Sequence, residues 1–436
     1  MQRQTMKQLK NWAKQPNRRP LILHGVRQVG KTWLMQTFGR ENFKKTAYIN
    51  FDHNPVAQNI FAKDLNIKRI VSELSIEANT AITPNDTLIV FDEVQECQAA
   101  KNSLKYFYEN APEYPVIAAG SLLGVAQGGM PVGKVDLLTL RPMTFLEFLL
   151  AVGEDRFARL IRNRDFASLS TFQDKISDNL KQYFYVGGMP EAVKTYAATR
   201  NLNETRQVQH RLLDAYYADF TRHIPAGEIA RVKLIWDSLP EQLAKENKRF
   251  TYSEMKPGSR GREYETALQW LKDAGMALKL NRVKLPQLPL AAYADAKLFK
   301  LYMPDIGLLA ARSALAPRAY LESNNQVFTH FKGALAEQFV AQEFAANYTH
   351  LPLYYWSNET NTAEIEFIIQ LNDLIIPLEV KSGKNVKSRS LKTYREKFNP
   401  PISLRAALVN YSRNKGLRDI PLYAISEIGA LLEAEN

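Results

Sequence analysis

The stretch that most constrains this 436-residue chain is Gly25 to Thr32, GVRQVGKT. It fits the pattern G-x-x-x-x-G-K-[ST] without departure. The apolar run Pro20 to His24 (PLILH) precedes it and reads as a strand. TWLMQTFGR follows and reads as a helix stopped near Gly39. Strand, glycine turn and helix is the setting in which such a loop holds polyphosphate. Gly25 and Gly30 permit a tight turn that gathers successive backbone N–H groups. The helix starting near Lys31 aims its positive end at the same place. On this reading Gly25, Val26, Arg27, Gln28, Val29, Gly30, Lys31, Thr32 and Trp33 cradle the phosphates of ATP. Lys31 reaches the β- and γ-phosphates, and the Thr32 hydroxyl ligates Mg²⁺.

A second stretch answers the first. TLIVFDEVQ (Thr87 to Gln95) sets the apolar run Leu88 to Phe91 before Asp92 and Glu93. An all-apolar run reads as a buried parallel strand, and its C-terminal end is where open α/β sheets bind ligands. This Walker B reading has Asp92 hold Mg²⁺ and Glu93 polarise the attacking water. TAYINFD (Thr46 to Asp52) reads as another strand. So does PVIAAGS (Pro115 to Ser121), whose Ser121 is a candidate sensor of the γ-phosphate; a plain strand-to-loop serine explains it equally well. Lys134 and Arg141 are the nearest cations to this edge. They read either as structural residues or as trans-acting fingers in a homo-oligomer.

Composition bounds the partners. Hydrophobic residues make up 45% and charged residues 23%, which describes a globular chain. The formal net charge of +12 favours an acidic partner, nucleic acid first and DNA ahead of RNA. A single cysteine, Cys97, excludes an intramolecular disulfide and a thiolate cluster, and fits a reducing cytoplasm. No run of 18 apolar residues exists, so no membrane span is expected. The first 20 residues hold six basic and no acidic residues, without the apolar core of a secretory signal. Met6, Leu9 and Trp12 share one helical face, either packed on the nucleotide domain or touching nucleic acid.

Length suggests about three domains; the text divides into four segments. Residues 1–152 read as the P-loop domain with a parallel sheet, and 153–246 as helical. There His210 and His223 lack partners at metal-ligand spacing. Residues 247–320 read as helix, helix, β-ribbon and a helix over Lys297 to Ala311, the order of a winged helix. Arg262, Lys272, Arg282 and Lys284 then contact phosphate, unless the segment is only a rigid spacer. In residues 321–436, FKGALAEQFVAQEFAAN reads as a helix, and AEIEFIIQ and IIPLEVKSG as strands joined by a short turn. Strand alternation puts Glu364 and Glu366 on one face and Glu379 and Lys381 on one face of the partner strand. Glu337, on the preceding helix, can join them. Carboxylates of Glu337, Glu366 and Glu379, with Lys381, suit one or two Mg²⁺ or Mn²⁺ ions and the positioning of a water for attack on phosphorus, with Glu379 and Lys381 as the catalytic pair. Surface Glu–Lys pairs are the plain alternative.

This last arrangement resembles the PD-(D/E)xK nuclease fold, with Glu379 to Lys381 as its second half; its usual first Asp is Glu366 here. The P-loop, FDEVQ, GSLLG, LRPMTFLEFL, YVGGMPEAV, KLYMPDIGLL and EIEF…PLEVKSG together resemble one family. It is the prokaryotic AAA-type ATPases that carry a C-terminal domain of unknown function related to restriction endonucleases. The resemblance covers nearly the whole chain. It implies a P-loop ATPase and a C-terminal restriction-endonuclease-like domain; with the segment readings above, the expected fold is α/β, a P-loop ATPase with a parallel sheet followed by a helical and winged-helix region and a restriction-endonuclease-like α/β domain. It also implies ATP binding and hydrolysis. The alternative expectation is an ATP-dependent signalling or defence switch that binds a protein partner, with an inactive nuclease-like scaffold.

Overall fold

Five short apolar strands build the first sheet. The structure, a computed structural model, describes residues 1–120, 133–316, 329–348, 352–360, 362–384 and 388–433. In it β1 (Leu21–His24), β2 (Lys45–Asn50), β3 (Thr87–Asp92), β4 (Val116–Ala119) and β5 (Asp136–Thr139) run parallel in the order β2-β3-β4-β1-β5. Every residue of β1, β3 and β4 is buried, as in a parallel sheet covered on both faces. β4 is inserted between the loop strand β1 and the acid-bearing strand β3. Ser121, just beyond β4, lies outside the described residues.

Helices α1 (Thr5–Ala13), α2 (Lys31–Asn42), α3 (Pro55–Lys63), α4 (Ile67–Glu77) and α5 (Gln98–Asn110) accompany this sheet. α2 continues past Gly39, where the sequence reading stops it. A Cβ on Gly39 would sit 2.3 Å from the Thr46 hydroxyl, so this glycine marks close helix–strand packing and not a helix end. α1 buries Leu9 and Trp12, with the Trp12 ring 6.3 Å from Phe38, and leaves Lys7 and Lys10 exposed, as is Lys14 just after it.

The chain forms two compact units where the sequence suggested four segments. The first comprises residues 1–141, 221–225 and 273–275; the second comprises 142–220, 226–272 and 276–436. Pro142 to Val152 therefore fold with the second unit, not with the P-loop domain. The cause is helix Phe145–Ala151, whose Phe145 packs against Tyr183 and Phe339 and whose Phe148 packs against Tyr183.

A boundary near residue 320 would cut a sheet. β6 (Leu278–Val283), β7 (Ala294–Tyr302), β8 (Tyr354–Ser357), β9 (Glu364–Leu371), β10 (Leu374–Val380), β11 (Ser403–Ala407), β12 (Ser412–Asn414) and β13 (Leu417–Pro421) form one eight-stranded sheet, ordered β12-β13-β11-β10-β9-β8-β6-β7. β6 pairs in parallel with β8, so the ribbon expected as a wing is the end of the C-terminal sheet. Lys297 to Tyr302, expected to be helical, belong to β7; the helix spans only Ile306–Arg312. Phe299 and Leu301 alternate with Lys300 and Tyr302, a period of two that fits a strand. β9 and β10 form the expected antiparallel hairpin, with Leu371 opposite Leu374. Among the described residues no helix is long and apolar enough to cross a membrane.

Glu343 ties the Phe145–Ala151 helix to helix Thr329–Asn347. Its Oε1 accepts from the Phe145 N–H at 2.7 Å. Burial pushes its carboxyl up to about 8, against the Phe145 hydrogen bond and with help from Glu147. A carboxyl raised above its unfolded range holds its proton more tightly when folded. Its stabilisation is present below about pH 4.5 and is lost as pH rises toward 8. Thermal unfolding of Glu343→Gln should therefore lack part of the wild-type loss of stability between pH 6 and 8, up to ~1.4 kcal/mol per pH unit. Parallel wild-type and variant slopes would refute this.

Candidate functional site

The first cluster forms where β1 and β3 end. After His24 the loop turns through Gly30, in the left-handed region at φ 96°, and α2 starts at Lys31. Only glycine adopts that conformation without steric strain. The Lys31 ammonium is buried under the loop and donates to the carbonyl oxygens of Gly25 (2.8 Å) and Val26 (3.2 Å). His24 is also buried. Burial, then Lys31, pushes its imidazole down to about 4, so it is neutral beneath the loop.

Asp92 joins the two motifs. Its Oδ2 accepts from the Thr32 hydroxyl at 2.6 Å and from the Tyr48 hydroxyl at 2.8 Å; its Oδ1 accepts from the Glu93 N–H at 3.0 Å. Burial, followed by the charge of Asp92, pushes the Tyr48 phenol up, which keeps it a donor. Glu93 has φ 49°, a left-handed conformation rare for a residue with a side chain, and its Oε2 accepts from Gln95 at 2.5 Å. Lys31, Thr32 and Glu93 line a cleft of about 400 Å³, a volume suited to a small ligand. Arg27, Gln28, Gly30 and Trp33 also line it, whereas Val26 and Val29 are buried in the core.

The same cleft receives two residues from the segment 221–225 of the first unit, Arg222 and His223. Arg222 pairs with Asp52 at 3.1 Å and Glu96 at 3.3 Å. The sequence reading treated His223 as ordinary and gave Arg222 no role; nothing local in the sequence marks either. Lys134 instead pairs with Glu109 at 2.9 Å, and the Arg141 carbonyl accepts from Arg3.

The second cluster lies inside the second unit. Glu364 and Glu366 on β9 and Glu379 on β10 come together with Glu337 of helix Thr329–Asn347, but three cations come with them. Glu337 Oε1 pairs with Lys248 at 2.8 Å, and its Oε2 meets Lys300 at 3.3 Å and the Tyr302 hydroxyl at 3.0 Å. Lys300 also meets Glu364 at 2.5 Å, and Lys381 pairs with Glu379 at 2.8 Å. Glu366 accepts from the Val380 N–H at 3.1 Å. Burial opposes the charge on Glu337, yet Lys300 and Lys248 hold its carboxyl below the usual range. Burial, then Glu337 and Glu379, push Glu366 up. Burial would lower Lys300, but Glu337 and Glu364 hold it well above its ordinary value.

Among the described residues no group of three or more His, Cys, Asp or Glu side chains is placed to hold a metal ion. The acids expected as a metal set, Glu337, Glu366 and Glu379, converge, and Lys248, Lys300 and Lys381 pair with acids of the cluster. Sequence reasoning missed Lys300 because it assigned that segment to a helix. The period-two alternation around Phe299 and Leu301 was the available signal.

Residues 17–149 match the family model of an AAA domain. Residues 177–319 and 332–425 match two further models, each described as a domain of unknown function (DUF8612 and DUF4143). The AAA match takes in most of the first unit, from residue 17 to 141, and runs on through residue 149. A search of curated proteins found no match. Among solved structures the chain is similar to the Walker-type ATPase of Pyrococcus abyssi, at 14% identity and TM-score 0.44, over 70% of this chain and 94% of that one. It is also similar to the Aeropyrum pernix ORC1 protein in complex with DNA, at 13% identity and TM-score 0.29, over 72% and 93%. A third is Drosophila ORC bound to DNA, at 13% identity and TM-score 0.27, over 71% and 93%.

Proposed function

We propose that the chain binds ATP with Mg²⁺ in the first-unit cleft, hydrolyses it, and uses the cycle to act on nucleic acid. The observation that carries the ATP reading is the single hydrogen-bonded group made by Thr32, Asp92 and the Glu93 backbone, beside the Lys31 ammonium. Hard oxygen donors, a hydroxyl and a carboxylate, fit Mg²⁺. Thr32 and Asp92 would hold the ion, which when bound neutralises phosphate charge. Lys31 binds the phosphates once it exchanges the loop carbonyls for them. Arg222 offers a second cation from the same segment as His223. Glu93 accepts a proton from the attacking water or orients it.

Nucleic acid as the partner rests on the net charge of +12 and on basic residues left exposed: Lys7 and Lys10 on α1, Lys14 just after it, and Arg262 and Lys284 in the second unit. The expected result is an ATPase rate that rises on adding duplex DNA at low salt and loses that rise with salt. An ATPase rate indifferent to DNA and RNA would favour the second reading, a switch for a protein partner. The lysines inside the second cluster favour that reading's other half, a nuclease-like unit used as a scaffold.

A further inference from the structure

We propose that the acidic cluster of the second unit is a closed ion network that takes no metal, with the Lys300 ammonium in the place of a cation between Glu337 and Glu364. A Mg²⁺ or Mn²⁺ ion needs carboxylate oxygens free to coordinate it at close range. Both oxygens of Glu337 are engaged, one by Lys248 at 2.8 Å and one by Lys300 and Tyr302 at 3.3 and 3.0 Å. Glu364 is engaged by Lys300 at 2.5 Å, one oxygen of Glu366 by the Val380 N–H, and one oxygen of Glu379 by Lys381. Glu379 Oε2 is the buried acidic oxygen of this group without a hydrogen-bond partner.

Lys300 is the reason Glu337 and Glu364 do not join Glu366 and Glu379 around an ion. Its side chain is 0% exposed, and its ammonium joins Glu337 on the helix to Glu364 on β9, with the Tyr355 ring 5.1 Å away. A cation entering there meets the like charge of a fully buried ammonium, in an interior where charges are weakly screened. Displacing it would leave an ammonium buried without partners. Lys248, also largely buried at 12% exposure, holds the far oxygen of Glu337. The helix and sheet are thus fixed together by ion pairs that a metal centre would need to break.

The inference stands apart from the ATP reading, because it concerns only the second unit. The test uses the full chain and the metal alone. Mn²⁺ is titrated into nucleotide-free wild type and into Glu379→Gln, with bound ion counted by electron paramagnetic resonance. Each protein is also assayed for Mn²⁺-dependent cleavage of single- and double-stranded DNA. The expected result is an identical Mn²⁺ isotherm for the two proteins and no cleavage by either. A Mn²⁺ ion bound by wild type and lost in Glu379→Gln would overturn the proposal. So would cleavage by wild type that Glu379→Gln abolishes. Because Glu379→Gln is nearly isosteric, a melting temperature close to wild type shows that the comparison is between folded proteins. If it melts far below wild type, the same comparison is made with Glu366→Gln. ATP turnover, read on the same samples, fails or survives independently.

Discussion

Lys31→Ala is expected to abolish ATP binding, and Glu93→Gln to keep binding while losing turnover. Lys31 is the ammonium already held against the loop, with carbonyl oxygens of Gly25 and Val26 as its partners. Its removal takes away charge-assisted bonds to phosphate, each worth roughly 1.5–3 kcal/mol, so affinity should fall by about two orders of magnitude or more. Glu93 plays a different part. It leaves β3 in a left-handed conformation with its carboxylate held by Gln95, off the loop that would grip the phosphates. Glutamine keeps the shape and loses the base, so turnover should drop by roughly 10²–10⁴. Fluorescent-nucleotide titration and phosphate release measure the two effects separately. Wild-type turnover by Glu93→Gln would remove Glu93 from its role.

Gly188→Ala should destabilise the second unit by at least ~3 kcal/mol, and Gly307→Ala comparably, the upper range for overpacking because backbone must move. A Cβ on Gly188 would lie 2.1 Å from the Met143 carbonyl oxygen, and one on Gly307 2.4 Å from that of Val186. Neither obstacle is a flexible side chain. The same junction carries short hydrogen bonds: Met143 N–H to the Gly188 carbonyl at 2.7 Å, and Gly188 N–H to Asp305 at 2.6 Å. Asp305 also caps helix Ile306–Arg312 by accepting from the Leu308 N–H, and burial pushes its carboxyl up to about 6. Thermal unfolding should show a fall of roughly 6–12 °C or a failure to fold. Gly227→Ala is the control, since nothing lies within 4 Å of its added Cβ. A wild-type melting temperature for Gly188→Ala would refute the packing argument.

That junction explains what three of the distinctive segments do. LRPMTFLEFL, YVGGMPEAV and KLYMPDIGLL supply Met143, Gly188 and Asp305, which meet in one place. Their pattern was visible in the sequence, but their meeting was not, because no periodicity links segments so far apart.

Local chemistry fixed the parts whose partners are near in sequence or imposed by period. The P-loop turn, the all-apolar strand before Asp92 and the β9–β10 hairpin follow from glycine spacing, apolar runs and alternation. These rules act over a few residues, so one chain suffices to read them. Tertiary structure alone decided where Arg222 and Lys300 stand. A lysine is ordinarily placed on the surface from sequence, because burying its charge is costly unless it is paired. Lys300 is buried because Glu337 and Glu364 approach it from separate elements. That pairing brings a buried cation to acids that the sequence alone presents as Glu337, Glu366 and Glu379. At the P-loop, by contrast, Thr32 and Asp92 came together in a hydrogen bond beside Lys31 because β1 and β3, parallel strands with β4 between them, deliver their ends to one edge of the sheet.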